Sequence, residues 1–539
     1  MLITLAQLNF TVGNIEQNYN QIISAIEKAK EDGSDIVVTT EMALTGYPPL
    51  DLLLQPGFLE TVDHYINKII PYTKGLCLLL GVVRKNDFLK EKFLHNSIAI
   101  IQDGKLMGYY DKQLLPTYDV FDERRYFEPG KKPYIFLYKN KKVALSICED
   151  MWQIARDVKE TCYQVDPIEP LKTESIDFFI NLSASPYSYE KQLVRLNILK
   201  KISTELNCYS IFCNQVGAND GLLFDGNSMI VDSKGQLVFK APCFSLNIET
   251  INLQKTQNVN ENPDYKPLEE LFLGIVTGIT DYFHKSGFTK AVLGLSGGID
   301  SALVALLAKE ALGKENVFTY FMPSCYSSSE SKKDAEHMAK LLGVYYEEIS
   351  IDPLFHAFKH VLSDVKKEVT LENLQARIRA MILMAQSNEK GALLLNTSNK
   401  SELAMGYSTL YGDSAGALSP IGDLYKTQVY ELAKLTHLIP LSIIEKEPTA
   451  ELKFNQKDSD TLPPYPLLDQ LLKSFIEENE TEDQMARKLK VELPFVKKIV
   501  HTFFLNEYKR KQCPLILRVS TKGLTPLIGR IVPTVQGFK

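Results

Sequence analysis

From Met1 to about Glu249, short apolar runs alternate with amphipathic, helix-compatible stretches. The runs IVVTT, CLLLGVV, SIAII, VALSI and DFFINL each lie between polar or Gly/Pro punctuation. Apolar runs of this length bounded by turn residues predict strands. Their alternation with helical periodicity predicts a layered α/β domain whose strands are buried on at least one face. Between Gln254 and Pro267, in QKTQNVNENPDYKP, apolar content collapses and Asn, Gln and Pro dominate. A linker over 254–267 then separates a domain of residues 1–253 from one of 268–539. The second region alternates again, with strands predicted at AVLGLS, VFTYFMP and ALLLN and helices between them. Strand, helix and strand in that order predict a doubly wound parallel sheet whose ligand lies at the carboxyl ends of the strands. Beyond about Gln456, LPPYPLLDQLL and the basic, aromatic HTFFLNEYKRKQ follow, and the latter reads as a helical face. The chain has no internal repeat and no low-complexity segment.

Length and charge narrow the classes. A chain of 539 residues exceeds one ordinary core. Its formal net charge of -6, without a basic stripe, argues against nucleic acid as a partner. MLITLAQLNF has neither a basic nor a long apolar leader region, and no apolar stretch approaches spanning length, so the expectation is a cytoplasmic protein without a membrane partner. The eight cysteines are scattered, with no C-x-x-C pair or zinc spacing, which fits individual thiols in a reducing compartment. Cys208 and Cys213 read as core thiols. His356 and His360 have a helical i, i+4 spacing but no evident third ligand, so no metal is assigned to them.

The densest chemical signal is Ser296-Gly297-Gly298-Ile299-Asp300-Ser301, where a predicted strand ends and a helix begins. Adjacent glycines let the backbone approach a ligand closely, and the unpaired N–H groups of the helix start face anionic oxygens. Asp300 among those donors requires a divalent cation to bridge it to phosphate. No P-loop lysine and no G-x-G-x-x-G are present. SGGIDS resembles the pyrophosphate loop of the N-type ATP pyrophosphatases, which cleave ATP to AMP and pyrophosphate. Downstream, Thr397 stands where ALLLN ends and can donate to a phosphate or base. Glu402 offers a second carboxylate to the cation, and Lys426 can oppose phosphate charge. Arg377 and Arg379 offer forked donors for an anionic substrate. Helix capping and surface charge are the competing account, for Arg379 and Lys400 above all.

In the first half, Glu41, Lys112 and Cys148 each follow an apolar run. On neighbouring strands their carboxyl ends would converge in one pocket. Together they could perform thiol acyl transfer: a carboxylate takes the thiol proton, the thiolate attacks an amide carbon and the ammonium stabilises the oxyanion. The motifs TTEMALTGYPP, YYDKQLLPTYDVFDERRYFEPG and SICEDMW resemble the nitrilase superfamily, which implies an αββα sandwich. The resemblance makes Glu41 the general base, Lys112 the oxyanion stabiliser and Cys148 the nucleophile, with Glu123 as an added acid beside them. It sets Tyr47, Tyr118, Glu149 and Ser185 around the amide pocket. Glu149 is then the partner for the α-ammonium of free glutamine.

SGGIDS, LENLQARIR, NTSNKSE, GYSTLYGD and PTAEL together resemble the NAD synthetases, which amidate deamido-NAD through an adenylated carboxylate. The implied fold of the second half is the adenine nucleotide alpha hydrolase-like doubly wound sheet. The implied ATP and Mg2+ residues are Ser296, Gly297, Gly298, Asp300, Ser301, Thr397, Glu402 and Lys426, with Asp300 and Glu402 on the metal. Asn373, Arg377 and Asp413 are implied to face deamido-NAD. A nitrilase-type amidase ahead of such a synthetase is the arrangement of the glutamine-dependent branch. It implies glutamine as nitrogen donor, a closed ammonia path and a homo-oligomer of at least two copies. Two alternatives stay open: another ATP-pyrophosphatase amidotransferase related to GMP or asparagine synthetases, and a nucleotide-binding regulator with an inactive amidase domain.

Overall fold

The computed structural model describes residues 1–86, 91–155, 163–255, 259, 266–454, 456–524, 530 and 532–535. Most of the expected linker (256–258 and 260–265), together with Cys162, lies outside them. The chain divides into two compact units, Met1–Pro267 and Leu268–Lys539.

Two six-stranded sheets form the first unit. One runs Asn247–Asn252, Leu2–Gln7, Ile36–Val38, Cys77–Lys85, Leu94–Gln102 and Lys105–Asp111 in spatial order. The other runs Leu237–Lys240, Met229–Val231, Tyr209–Asn214, Phe178–Ser183, Lys141–Ile147 and Tyr134–Tyr138. Side chains alternate across each strand, so each sheet has two faces to bury. Cys77 and Leu79 join Ile180 and Leu182 in a core between the sheets. Leu78, Leu80 and Val82 pack instead on helices Ile15–Glu31 and Phe58–Ile69. On the far side, Phe179 and Phe212 pack on helix Lys191–Leu206. The result is the expected αββα sandwich. Burial on both faces explains why its central strands read as unbroken apolar runs. Strand Asn247–Asn252 pairs antiparallel with Leu2–Gln7, Leu2 opposite Asn252, so the two ends of the unit meet in one sheet.

The second unit contains a parallel sheet in the order Tyr345–Glu348, Val317–Phe321, Ala291–Gly294, Leu393–Leu394. The chain steps outward from Ala291–Gly294 to Tyr345–Glu348 and then returns to the other side of its first strand. The point of reversal lies between Ala291–Gly294 and Leu393–Leu394, where doubly wound sheets open a ligand crevice. Tyr345–Glu348 is an edge strand of sequence YYEE, which lacks the apolar run that marks its neighbours. A separate helical cluster packs Leu403, Leu468, Leu472, Val496 and Phe503. HTFFLNEYKRKQ falls largely on helices Leu493–Leu505 and Glu507–Arg510. Two of its basic groups are held internally: Lys509 donates to the Gly406 and Ser408 carbonyls at 2.6 and 2.8 Å, and Arg510 pairs with Glu507 at 2.8 Å. Among the described residues no helix is long and apolar enough to cross a membrane.

Close backbone approach at Gly81 positions the segment that carries Glu41. A Cβ at Gly81 would stand 2.0 Å from the Thr40 carbonyl oxygen and 2.7 Å from the Met42 nitrogen. Gly81→Ala must therefore push that segment away, at an expected cost of about 1–3 kcal/mol. Urea unfolding should show a lowered midpoint; an unchanged midpoint would mean that the Thr40–Met42 segment yields freely.

Candidate active sites

Glu41 follows strand Ile36–Val38, Lys112 follows Lys105–Asp111 and Cys148 follows Lys141–Ile147. The strands are not neighbours, in contrast to the arrangement considered from sequence. The first two belong to one sheet with two strands between them, and the third belongs to the facing sheet. The three residues meet because the sheets stack with these ends together. All three are almost fully buried.

Lys112 Nζ donates to Glu41 Oε1 and to Glu123 Oε1, each at 2.7 Å. Glu41 also accepts from Asn96 Nδ2 at 2.7 Å and from the Ala184 backbone N–H at 3.0 Å. Tyr47 donates its hydroxyl to Glu123 at 2.9 Å. Burial opposes the Lys112 charge, but Glu123 and Glu41 outweigh it and hold the ammonium well above its ordinary range. Burial, assisted by Glu41 and opposed by Lys112, pushes Glu123 up to about 7. The Cys148 thiol is held well above its ordinary value by burial and by Glu41, with Lys112 acting in the opposite sense. The thiol is thus protonated at rest, with Glu41 and Lys112 both near enough to act on its charge. Cys148 has φ +39°, in the left-handed region that side chains other than glycine seldom occupy.

Glu149 accepts from Tyr118 at 3.0 and 3.1 Å and from Tyr163 at 3.1 Å. Burial raises its pKa, and Lys112 and Lys191 oppose the rise. Ser185 is buried beside Ala184, and its N–H donates to Asn214 Oδ1 at 2.8 Å. Two contributors lie outside the motifs, and a third, Asp150, lies within SICEDMW but had no role assigned to it. Asn96 is a lone amide in an apolar strand. Lys191 begins a helix and donates to the Pro186 carbonyl at 2.9 Å. Asp150, fully buried two residues after the motif cysteine, accepts the N–H groups of Gln113, Leu114 and Ile147 at 2.8–3.0 Å, which ties the Lys112 segment to the Cys148 strand. Cys208 and Cys213 are buried free thiols, both raised to about 12 by burial.

In the second unit a cavity of about 300 Å³ opens at the sheet's point of reversal. Ser296, Gly298, Asp300, Ser301, Thr397, Glu402 and Lys426 line it, as does Asp413. Gly297 has φ +80°, and a Cβ there would stand 2.3 Å from the Ser331 carbonyl oxygen, so the loop's turn excludes a side chain. Ser301 Oγ donates to the Gly298 carbonyl at 3.0 Å. Helix Ile299–Leu312 has no side-chain cap at Gly298, which leaves its N-terminal dipole to an anion.

Lys426 Nζ bonds to Asp300 Oδ2 and lies 3.4 Å from Glu402 Oε1. Asn399 Nδ2 donates to Asp300 at 3.1 Å, while Asn399 Oδ1 accepts the Glu402 N–H at 3.0 Å. Burial raises Glu402 to about 8 against the pull of Lys426, and Asp300 adds to the rise. Two carboxylates thus converge on one cation. That donor set fits Mg2+, which binds through one or two carboxylates together with phosphate oxygens. Among the described residues no group of three or more His, Cys, Asp and Glu side chains could hold a metal.

Asn373 accepts from Thr409 Oγ1 at 2.7 Å, Arg377 Nε donates to the Leu410 carbonyl at 3.2 Å, and Asp413 receives the Thr409 N–H. These three residues therefore gather on the Thr409–Asp413 turn, and only Asp413 borders the cavity. Burial raises Asp413 to about 6. Lys400 is not surface charge. It is fully buried against Asp423 at 3.0 Å and Glu477 at 3.1 Å, and it donates to Ser520 Oγ at 2.7 Å.

The carbon-nitrogen hydrolase family matches residues 2–261 and the NAD synthase family residues 272–513. The glutamine-dependent NAD(+) synthetase of Synechocystis sp. is 41% identical over 99% of each chain. That of Thermotoga maritima is 39% identical, covering 97% of this chain and 96% of its own. The structure of the Acinetobacter baumannii glutamine-dependent NAD+ synthetase in complex with ADP superposes with TM-score 0.77 at 32% identity, over 98% of this chain and 97% of that one. A Cytophaga hutchinsonii glutamine-dependent NAD(+) synthetase shares the fold, with TM-score 0.84 at 23% identity over 99% and 98%.

The raised pKa of Glu123 has a consequence for stability. Its proton is held more tightly in the folded chain, up to about pH 7, than in the unfolded chain, where it leaves near the ordinary value of 4.5. Its contribution to stability is therefore lost as pH rises from about 4.5 to 7. Glu123→Gln should flatten that decline by up to about 1.4 kcal/mol per pH unit, the value for one proton. Chemical unfolding of both chains at pH 5, 6 and 7 measures it, and parallel curves would show that Glu123 releases its proton at the ordinary value.

Proposed function

The chain belongs to the glutamine-dependent NAD(+) synthetase family, and we propose that Cys148 generates ammonia from glutamine and that the Asp300–Glu402–Lys426 cavity directs it onto an adenylated carboxylate. Members of the family are glutamine-hydrolysing carbon–nitrogen ligases, and this chain forms NAD(+) in that way. The observation that carries the residue assignment is the Lys112 ammonium held between Glu41 and Glu123 beside a buried thiol.

In the proposed first reaction, Glu41 takes the Cys148 proton as sulfur attacks the glutamine side-chain carbon. Lys112 stabilises the oxyanion that forms. Collapse breaks the C–N bond, the proton passes to the departing nitrogen and ammonia leaves a thioester. Water, losing its proton to Glu41, then attacks the thioester and releases glutamate and the thiol. A buried neutral thiol suits this sequence, because the thiolate is formed only as it attacks. Glu149, held by Tyr118 and Tyr163, is the proposed partner of the glutamine α-ammonium. Lys191, whose charge reaches Glu149, is the proposed partner of the α-carboxylate.

The nicotinate carboxylate of deamido-NAD is ionised at neutral pH and resists nucleophiles. Its attack on the α-phosphorus of ATP expels pyrophosphate and makes AMP the next leaving group. Ammonia then attacks the acyl carbon, giving NAD and AMP. Ser296, Gly297, Gly298, Ser301, Thr397 and Lys426 are assigned to ATP, and Asn373, Arg377 and Asp413 to deamido-NAD. Mg2+ at Asp300 and Glu402 would neutralise charge on the departing pyrophosphate. The proposal includes an amidase domain of residues 1–253, a linker of 254–267 and a synthetase domain of 268–539, in a cytoplasmic homo-oligomer of at least two copies.

Cys148→Ala should make no NAD from glutamine, yet should make it from ammonium supplied at high concentration and raised pH. Glu41→Ala and Lys112→Ala should behave alike. Product analysis on chains with native melting curves tests this, and a folded Cys148→Ala chain that uses glutamine normally would remove it as nucleophile. Asp300→Asn and Glu402→Gln should each lower synthesis at limiting Mg2+ by about tenfold or more with either nitrogen source. AMP and pyrophosphate should accumulate in step with NAD; stoichiometric ADP and phosphate would overturn the adenylating step.

A further inference from the structure

The cavity of the second unit holds a cation that neither the metal pair nor the pyrophosphate loop uses. Arg379 lies on helix Glu368–Lys390, and its Nε donates to the Met322 carbonyl at 2.9 Å. That bond fixes the guanidinium plane just past strand Val317–Phe321, and the side chain lines the cavity. Two buried guanidiniums among the described residues, those of Arg195 and Arg510, are neutralised at contact. Arg195 makes two bonds to Asp225 at 2.8 and 2.9 Å, and Arg510 makes two to Glu507 at 2.8 and 3.0 Å. Among the described residues Arg379 has no carboxylate at ion-pair distance; Glu451, Asp413 and Asp352 act on its charge only from farther away. Burial lowers its pKa to about 10, so it still carries its charge at neutral pH. A desolvated cation with no contact partner is costly unless a ligand brings the anion.

We propose that Arg379 binds the α-phosphoryl group of the nucleotide, the phosphate that stays with adenosine when pyrophosphate leaves. The inference rests on the adenylating role of this cavity. Asp300 lies just past strand Ala291–Gly294, where the uncapped helix begins. Arg379 is tied to the exit of the adjacent parallel strand, in which Tyr320 lies opposite Gly294. Neighbouring strands lie about 4.8 Å apart, a step comparable with the reach of a triphosphate. With the β- and γ-phosphates at the helix start, the α-phosphate is the anion that extends toward the neighbouring strand exit. A planar fork fixed by Nε presents its two terminal nitrogens to two phosphate oxygens, which a lysine cannot reproduce. Such a contact persists after pyrophosphate departs and so holds the acyl adenylate while ammonia attacks.

AMP and inorganic pyrophosphate are the probes, titrated separately by calorimetry against the full-length native chain, Arg379→Gln and Arg379→Lys. Arg379→Gln should weaken AMP about tenfold or more while pyrophosphate changes by less than about twofold, and Arg379→Lys should recover part of the AMP affinity. If Arg379→Gln lacks a native melting transition, Arg379→Lys carries the test, with AMP weakened and pyrophosphate retained as the expected result. Unchanged AMP affinity overturns the proposal, as does an equal loss of AMP and pyrophosphate. A rise in the KM for deamido-NAD with AMP affinity intact assigns the guanidinium to the nicotinate carboxylate instead and also overturns it. A native chain that binds neither probe refutes the adenylating role of the cavity, and the assignment with it, whereas native binding matched by the variant refutes Arg379 alone.

Discussion

Taking the Lys112 ammonium out of water is tolerable only because Glu41 and Glu123 each meet it at 2.7 Å. Burying an ion costs several kcal/mol, comparable with what one close, well-bonded partner returns. One ammonium therefore cannot hold two buried carboxylates fully charged without further donors. Both have them, Asn96 and the Ala184 N–H on Glu41 and the Tyr47 hydroxyl on Glu123, yet burial still pushes Glu123 up to about 7. Glu41 is left with three hydrogen-bond donors at the thiol, and Glu123 stands behind the lysine as a readily protonated support.

The second unit repeats this device with a different outcome. Lys426 stands between Asp300 and Glu402, and Glu402 rises to about 8. Here the cluster opens into a cavity with an uncapped helix start, so phosphate and a divalent cation can complete the charge balance. In the first unit the lysine is sealed among protein carboxylates, which suits it to an oxyanion that exists only briefly. In the proposed reactions the same electrostatic shortage would serve transient charge in one place and bound substrate charge in the other. Lys400, two residues before Glu402, shows the fully satisfied case: its ammonium reaches Asp423, Glu477 and Ser520, and it holds the chain near Ser520 against the helix that bears Glu402.

Backbone contact sets the precision of both sites. Gly81 lets the Cys77–Lys85 strand touch the exit that bears Glu41, and Gly297 lets the SGGIDS loop touch the start of helix Ser329–Leu342. Asp150 adds a polar tie, gathering N–H groups from the segments that follow Lys112 and precede Cys148. Gly81 and Asp150 have no assigned contact with substrate in the proposed reactions, yet each fixes a segment whose side chains do.

The local chemistry and the alternation of strands with helices are legible along the chain, and the resemblance of its motifs implied the αββα layers. Unbroken apolar runs exist because central strands are buried on both faces, and SGGIDS reads as an anion cradle because its glycines and helix start follow one another along the chain. Glu41, Lys112 and Cys148 were each legible at the end of such a run. Only the tertiary structure decided that they come from two facing sheets, since strand order and sheet stacking leave no local trace. Asn96, Asp150 and Lys191 were silent for the same reason: a lone amide, acid or lysine acquires its role from partners distant in sequence. The edge strand Tyr345–Glu348 lacked an apolar signal because an edge needs less burial. Arg379 and Lys400 look alike as basic residues, but one faces the cavity and the other is enclosed by carboxylates, a difference of burial and counter-charge that only the folded chain creates.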